Sequence, residues 1–160
     1  LIPSAPGWRA ACAGAPPKGK SVRGWREVPG LGTSGRAMAL LPADSTACWS
    51  PGDPKAPRLV YRFRSAGADT AAYLDFVPTF RLYPGLKLHV SVQVDGLASR
   101  MVEVPGSSGR EDEGGFIRRN AVQDNYVRVR VPLVGLSAGS HTFTIAAVDP
   151  GAVIDRVWLP

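Results

Sequence analysis

Ala138-Gly139-Ser140-His141-Thr142-Phe143-Thr144-Ile145 and, after two residues, Val148-Asp149-Pro150-Gly151-Ala152-Val153-Ile154-Asp155-Arg156-Val157-Trp158-Leu159 together decide the fold class. A glycine-led turn opens an alternating strand, Asp-Pro-Gly turns the chain, and a second alternating strand follows. The pattern predicts a strand pair that closes a β-sandwich. His141 falls in phase with Phe143 and Ile145, which marks it as a packed, structural histidine.

The same period of two recurs upstream. In Arg58–Arg64, Leu59, Tyr61 and Phe63 share one face, with Arg62 and Arg64 on the other. Leu88, Val90, Val92 and Val94 point inward in 87–94, leaving His89 outward. Val127, Val129 and Val131 do the same in 126–131, leaving Arg128 and Arg130 outward. Weaker strands are expected at 36–41, 71–77 and 100–104. Pro84-Gly85 and Asp95-Gly96 supply turns. Eight or nine strands at this spacing, with no sustained helical period, predict an all-β chain: an antiparallel sandwich of jelly-roll type.

Residues 1–20 are rich in Pro, Gly and Ala without periodicity and read as an irregular lead-in; residues 21–160 form the sandwich domain. The 160-residue length suits one domain, and 44% hydrophobic residues is ordinary for a globular protein. No run reaches the roughly 20 apolar residues of a membrane helix. The chain opens at Leu1 without a basic, apolar leader, which reads as an excised or processed segment. Cys12 and Cys48 either join the lead-in to the body through a disulfide, the favoured reading, or stay reduced and buried. Neither belongs to a CxxC pair, which argues against zinc. Pro105–Gly115 reads as a mobile, polar, glycine-rich loop.

Lysine and arginine number 19 against 13 acidic residues, for a net charge of +6, and only four of the bases are lysine. Arginine forks suit acidic polymers, although a solvated basic surface accounts for the balance equally well. No nucleic-acid-binding motif accompanies the charge, so nucleic acid is not expected as a partner. If their strands are neighbours, Arg62, Arg64, Arg128 and Arg130 form one basic sheet face; otherwise they guard an edge strand.

No catalytic set is legible. Gly30-Leu31-Gly32-Thr33-Ser34-Gly35 satisfies G-x-G-x-x-G but lacks the strand-to-helix context that dinucleotide binding needs, and reads as a turn between strands. Ser34 lacks the glycine spacing of a nucleophile elbow. Glu111, Asp112 and Glu113 are adjacent but sit in the mobile loop, without the rigid spacing and burial that glycosidase acids require. Asp75, Asp149 and Asp155 either hydrogen-bond turns or hold a structural calcium ion. No other cofactor is indicated. Binding is therefore the remaining role, and the aromatic residues in turn-rich segments, Trp49, Tyr83 and Phe116, are the expected stacking surfaces. Trp25 and Trp158 are expected in the core.

Gly24-Trp25-Arg26-Glu27-Val28-Pro29-Gly30-Leu31-Gly32-Thr33-Ser34-Gly35, Ala56–Phe63, Val77-Pro78-Thr79-Phe80, Val94-Asp95-Gly96, Gly139-Ser140-His141-Thr142 and Val148–Asp155 form an ordered series. From about Gly24 to the end, the series resembles the C-terminal domain of glycoside hydrolase family 115. Members are xylan α-1,2-glucuronidases that remove 4-O-methylglucuronic acid, with the catalytic site in an upstream barrel. The resemblance implies a non-catalytic sandwich akin to carbohydrate-binding modules, secreted or periplasmic, with plant cell-wall xylan and the parent enzyme's catalytic domain as partners. In the family an aromatic, usually Trp, precedes an Asn in the region of Phe116 to Asn125; here the aromatic is Phe116. The expected site is stacking by Trp49, Tyr83 or Phe116, with a carboxylate fork from Arg81 or Arg119 and a contact from Asn125. The competing expectation is a structural module that packs on the catalytic domain or dimerises without binding sugar.

Overall fold

The computed structural model describes residues 24–43, 48–67, 71–79, 87–105 and 121–159. Among these, nine strands occur: β1 (Gly24–Pro29), β2 (Arg36–Leu41), β3 (Arg58–Ala66), β4 (Ala71–Phe76), β5 (His89–Val94), β6 (Arg100–Glu103), β7 (Val127–Pro132), β8 (Ala138–Ala147) and β9 (Val153–Trp158). They form a five-stranded sheet, β1-β2-β9-β4-β7, and a four-stranded sheet, β3-β8-β5-β6. Every pairing is antiparallel. The expected all-β sandwich is what the chain forms. A helical turn at 121–124 interrupts the β-structure.

The inward phases meet in one core. Leu74 and Phe76 from one sheet face Val90, Phe143 and Ile145 from the other, all fully buried, and Ile154 joins them. Leu59, Tyr61 and Phe63 pack on this core from the edge strand β3. Trp25 also packs there, and its indole N–H donates to Pro57 O at 3.2 Å, so its expected core role holds. Buried large side chains of this kind each add about 1.5–3 kcal/mol by leaving water.

The pairing of the last two strands is where pattern and structure part. β8 pairs with β3 and β5, whereas β9 pairs with β2 and β4, so the two strands lie in different sheets. The Asp-Pro-Gly segment is a corner between sheets. Asp149 anchors it: its carboxylate accepts from His89 N at 2.9 Å and from His89 Nδ1 at 2.7 Å. Its own N–H donates to His89 O. That contact also keeps His89 half-buried instead of outward. Period two reports which face a residue occupies; it does not name the partner strand.

The basic residues divide in the same way. Arg62 and Arg64 belong to β3 of the four-stranded sheet, and Arg128 and Arg130 to β7 of the five-stranded sheet, so they share no face.

Two turns behave as read. Gly30–Gly35 links β1 to β2, closed by Gly30 N donating to Gly35 O at 2.8 Å. Gly32 has φ +77°, and a Cβ there would collide with the Asp155 carboxylate. Asp95 and Gly96 both adopt positive φ after β5, and Leu97 N donates to Val94 O. The Asp95 carboxylate accepts from Thr142 N at 2.8 Å and from His141 Nδ1 at 2.6 Å. His141 Nε2 meets Ser137 O at 2.9 Å and its ring packs beside Phe63, the structural role expected of it. Cys48 is disulfide-bonded, and Cys12, the chain's other cysteine, lies outside the described residues. No helix among the described residues is long and apolar enough to cross a membrane.

Candidate functional site: an arginine–aromatic face

Alternation in three neighbouring strands sends six side chains to the outer face of the five-stranded sheet: Tyr73 and Asp75 from β4, Arg128 and Arg130 from β7, Arg156 and Trp158 from β9. Register arranges them in two rows. Asp75 lies between Arg128 and Arg156, and Tyr73 between Arg130 and Trp158.

Asp75 is the hub. It is fully buried, and a buried carboxylate persists as an anion only when partners replace its water. Arg128 donates to it twice, from Nε to Oδ1 at 2.7 Å and from Nη2 to Oδ2 at 2.9 Å. Trp158 Nε1 donates to Oδ2 at 2.8 Å, and Arg156 Nε stands 3.4 Å from the same oxygen. Burial pushes the Asp75 carboxyl up, but the bonds from Arg128 and Trp158 and the charges of both arginines outweigh it and hold it below the usual range. Its hydrogen bonds in turn raise the Arg128 guanidinium.

The aromatic rings complete the cluster. The Arg128 guanidinium lies 5.4 Å from the ring centroids of both Tyr126 and Trp158; that of Arg156 lies 5.7 Å from Tyr126 and 5.4 Å from Trp158. Two cations and two rings thus hold one another, each such contact adding about 0.5–1 kcal/mol where water has access. Trp158 is 47% exposed. Its expected place in the core is overturned: it shares the phase of Arg156, not of Val157, and Asp75 fixes it on the outer surface by its N–H.

A register shift between Asp75 and Phe76 sets Asp155 apart from these rows. Its carboxylate accepts four hydrogen bonds from the backbone N–H and hydroxyl groups of Thr33 and Ser34. Burial raises its carboxyl and these four bonds more than offset that, leaving it lowered. Asp75, Asp149 and Asp155 are therefore each occupied by protein donors. Among the described residues no group of three or more His, Cys, Asp or Glu is placed to hold a metal ion.

Of the expected ligand residues, Asn125 is exposed, with φ +58°, and immediately precedes Tyr126 at the margin of this face. Trp49 is half-buried at the β8–β9 corner, its N–H donating to Val148 O. Tyr83, Phe116, Arg81 and Arg119 lie outside the described residues, as do Glu111, Asp112 and Glu113. The residues missed were Asp75, Tyr126, Arg156 and Trp158. A carboxylate set mid-strand between Leu74 and Phe76, and a tryptophan in phase with arginine, were the available signals.

A groove of about 410 Å³ lies between β5, β6 and the β7–β8 loop, lined by Val92, Leu97, Arg100, Leu133, Val134 and Leu136 among others. Among the described residues no aromatic ring lines it, and two of its polar side chains are engaged: Gln93 Nε2 donates to Leu97 O and Arg100 Nη1 to Pro132 O.

The two antiparallel sheets define an all-β sandwich. The family model for the glycosyl hydrolase family 115 C-terminal domain matches residues 11–160, and the chain belongs to that family. Among solved structures it is similar to BtGH115A, a family 115 4-O-methyl-α-glucuronidase with specificity for decorated arabinogalactans. The two are 20% identical with a TM-score of 0.60, over 84% of this chain and 16% of that one. It is also similar to the GH26-CBM35 β-(1,4)-mannanase of Podospora anserina, at 16% identity and TM-score 0.50, over 86% of this chain and 25% of that one. A family 35 carbohydrate-binding module from an environmental isolate matches at 15% identity and TM-score 0.47, over 86% and 82% of the two chains. At these identities the first two likenesses establish the fold alone. No curated protein matches.

Proposed function

We propose that this domain is a non-catalytic carbohydrate-binding module of a secreted or periplasmic xylan-degrading enzyme, recognising xylan or its glucuronic acid side chains through the Trp158 face. The observation that carries this reading is an exposed tryptophan locked in place by a buried carboxylate and flanked by two arginines. An aromatic ring offers a flat apolar surface to a sugar ring, and neighbouring N–H donors read its oxygens. Mounting on three paired strands gives a rigid platform, which lowers the ordering cost of binding. Asn125 extends the polar margin beside Tyr126.

A second reading has its own support. Leu97 and Val134 are 63% and 80% exposed beside the apolar groove, which suits packing against the catalytic domain or a second copy without sugar binding.

Affinity electrophoresis separates the two. The domain and its Trp158→Ala variant are run in gels containing glucuronoxylan, neutral arabinoxylan or a cellulose derivative. Retardation by a xylan that the variant loses supports the module; no retardation in any gel refutes it and leaves the packing role.

A further inference from the structure

The outer face holds more positive charge than it neutralises. One carboxylate, Asp75, serves two guanidiniums, and Arg130, in the adjoining row, has no hydrogen-bond or ion-pair partner among the described residues. Asp155 stands 3.5 Å from Arg156 Nε and keeps its negative charge under four neutral donors from Thr33 and Ser34, so Arg128, Arg130 and Arg156 face two carboxylates and one positive charge is left over. Arg156 Nε is buried and makes no hydrogen bond.

The donors that remain are ordered. Arg128 spends Nε and Nη2 on Asp75, which leaves both N–H groups of Nη1 and the second of Nη2 as an unspent end of its fork. Arg128 and Arg156 are 42% and 33% exposed in their side chains, and each is stacked on both Tyr126 and Trp158, so neither needs to be immobilised again by a ligand.

The geometry points to a receptor for the carboxylate of a uronic acid: the pyranose ring lies against Trp158 and its carboxylate accepts from the unspent Nη N–H groups of Arg128 and Arg156, the buried Arg156 Nε taking no part. A planar two-oxygen anion matches guanidinium forks, whereas the hydroxyls of a neutral pyranose leave the surplus charge beside the ring uncompensated. Asp75 is a positioning residue in this arrangement, since it aligns both arginines and the indole. The inference rests on the carbohydrate-binding reading and selects the acidic sugar within it.

Calorimetry on the chain with methyl β-D-glucuronoside, its methyl ester and methyl β-D-glucoside tests it. The ester keeps the ring and replaces the anion by a neutral methyl ester, and the glucoside is neutral without that methyl, so the wild-type protein is informative whatever the fate of any variant. The acid is expected to bind about tenfold tighter than ester or glucoside, the size of one charge-assisted hydrogen bond. Arg156→Gln is expected to abolish that preference without moving the unfolding midpoint by more than a few degrees. Equal binding of acid and ester overturns the receptor, and so does a preference that survives Arg156→Gln. If xylan still retards the protein through Trp158 in that case, the carbohydrate-binding reading stands alone; if no sugar or polymer binds, both fall. Glucuronoxylan and a glucuronate-bearing arabinogalactan then distinguish the polymer that presents the acid.

Discussion

Replacing Asp75 by Asn keeps the volume of the hub and removes its charge. The carboxylate accepts three hydrogen bonds, two from Arg128 and one from Trp158, and pairs with Arg156. Asn retains one acceptor oxygen and turns an NH₂ donor toward a second donor. Breaking a fully buried pair costs about 3–5 kcal/mol. Here both arginines remain partly wet and regain water, so the loss should be nearer a single charge-assisted bond, about 2 kcal/mol. For a domain of this size that lowers the melting temperature by about 4–8 °C. Acid supplies the control. Because the folded Asp75 carboxyl lies below its unfolded value, its contribution is complete above the unfolded pKa, about 3.9, and fades as the pH falls through the folded one. Urea unfolding should therefore show wild type and Asp75→Asn separated at pH 7 and converging in acid. A loss under about 0.5 kcal/mol at pH 7, within the range of a surface change, would refute the hub. A gap that persists undiminished in acid would do the same.

Gly32→Ala should destabilise by about 1–3 kcal/mol, since it combines positive φ with a collision against a carboxylate that four donors hold still. Gly35→Ala, at the same φ in open space, should cost about 1 kcal/mol; equal losses in chemical denaturation would dismiss the collision. Phe143→Ala, at the centre of the core, should cost about 3–5 kcal/mol by the same assay, and a loss under about 1 kcal/mol would mean that the two sheets do not meet there. Asp95 is lowered by hydrogen bonds from His141 and Thr142 N, so its stabilisation is present above the unfolded pKa and lost as the pH falls through the folded one. Asp95→Asn should lower the unfolding midpoint at neutral pH and flatten the acid limb of the stability profile; an unchanged limb would remove this pair from the account.

The sequence by itself determined the class of fold, because alternation is a local property: a strand half-buried in a sandwich must be apolar at every second residue whatever its partner. Leu59/Tyr61/Phe63 and Leu88/Val90/Val92/Val94 were legible for that reason, as were the Gly30–Gly35 and Asp95-Gly96 turns, where backbone conformation restricts the residue type. β1 was not singled out, since Gly24 and Pro29 bound a short run whose strand character comes from its pairing with β2. The family resemblance from Gly24 onward was legible as well. What only the tertiary structure decided is which strands are neighbours. That choice separates β8 from β9, divides the arginines of β3 from those of β7, and brings Asp75, Arg128, Arg156 and Trp158 to one surface from three distant segments. Their attraction is a pairwise property of side chains far apart along the chain, and no local period encodes it.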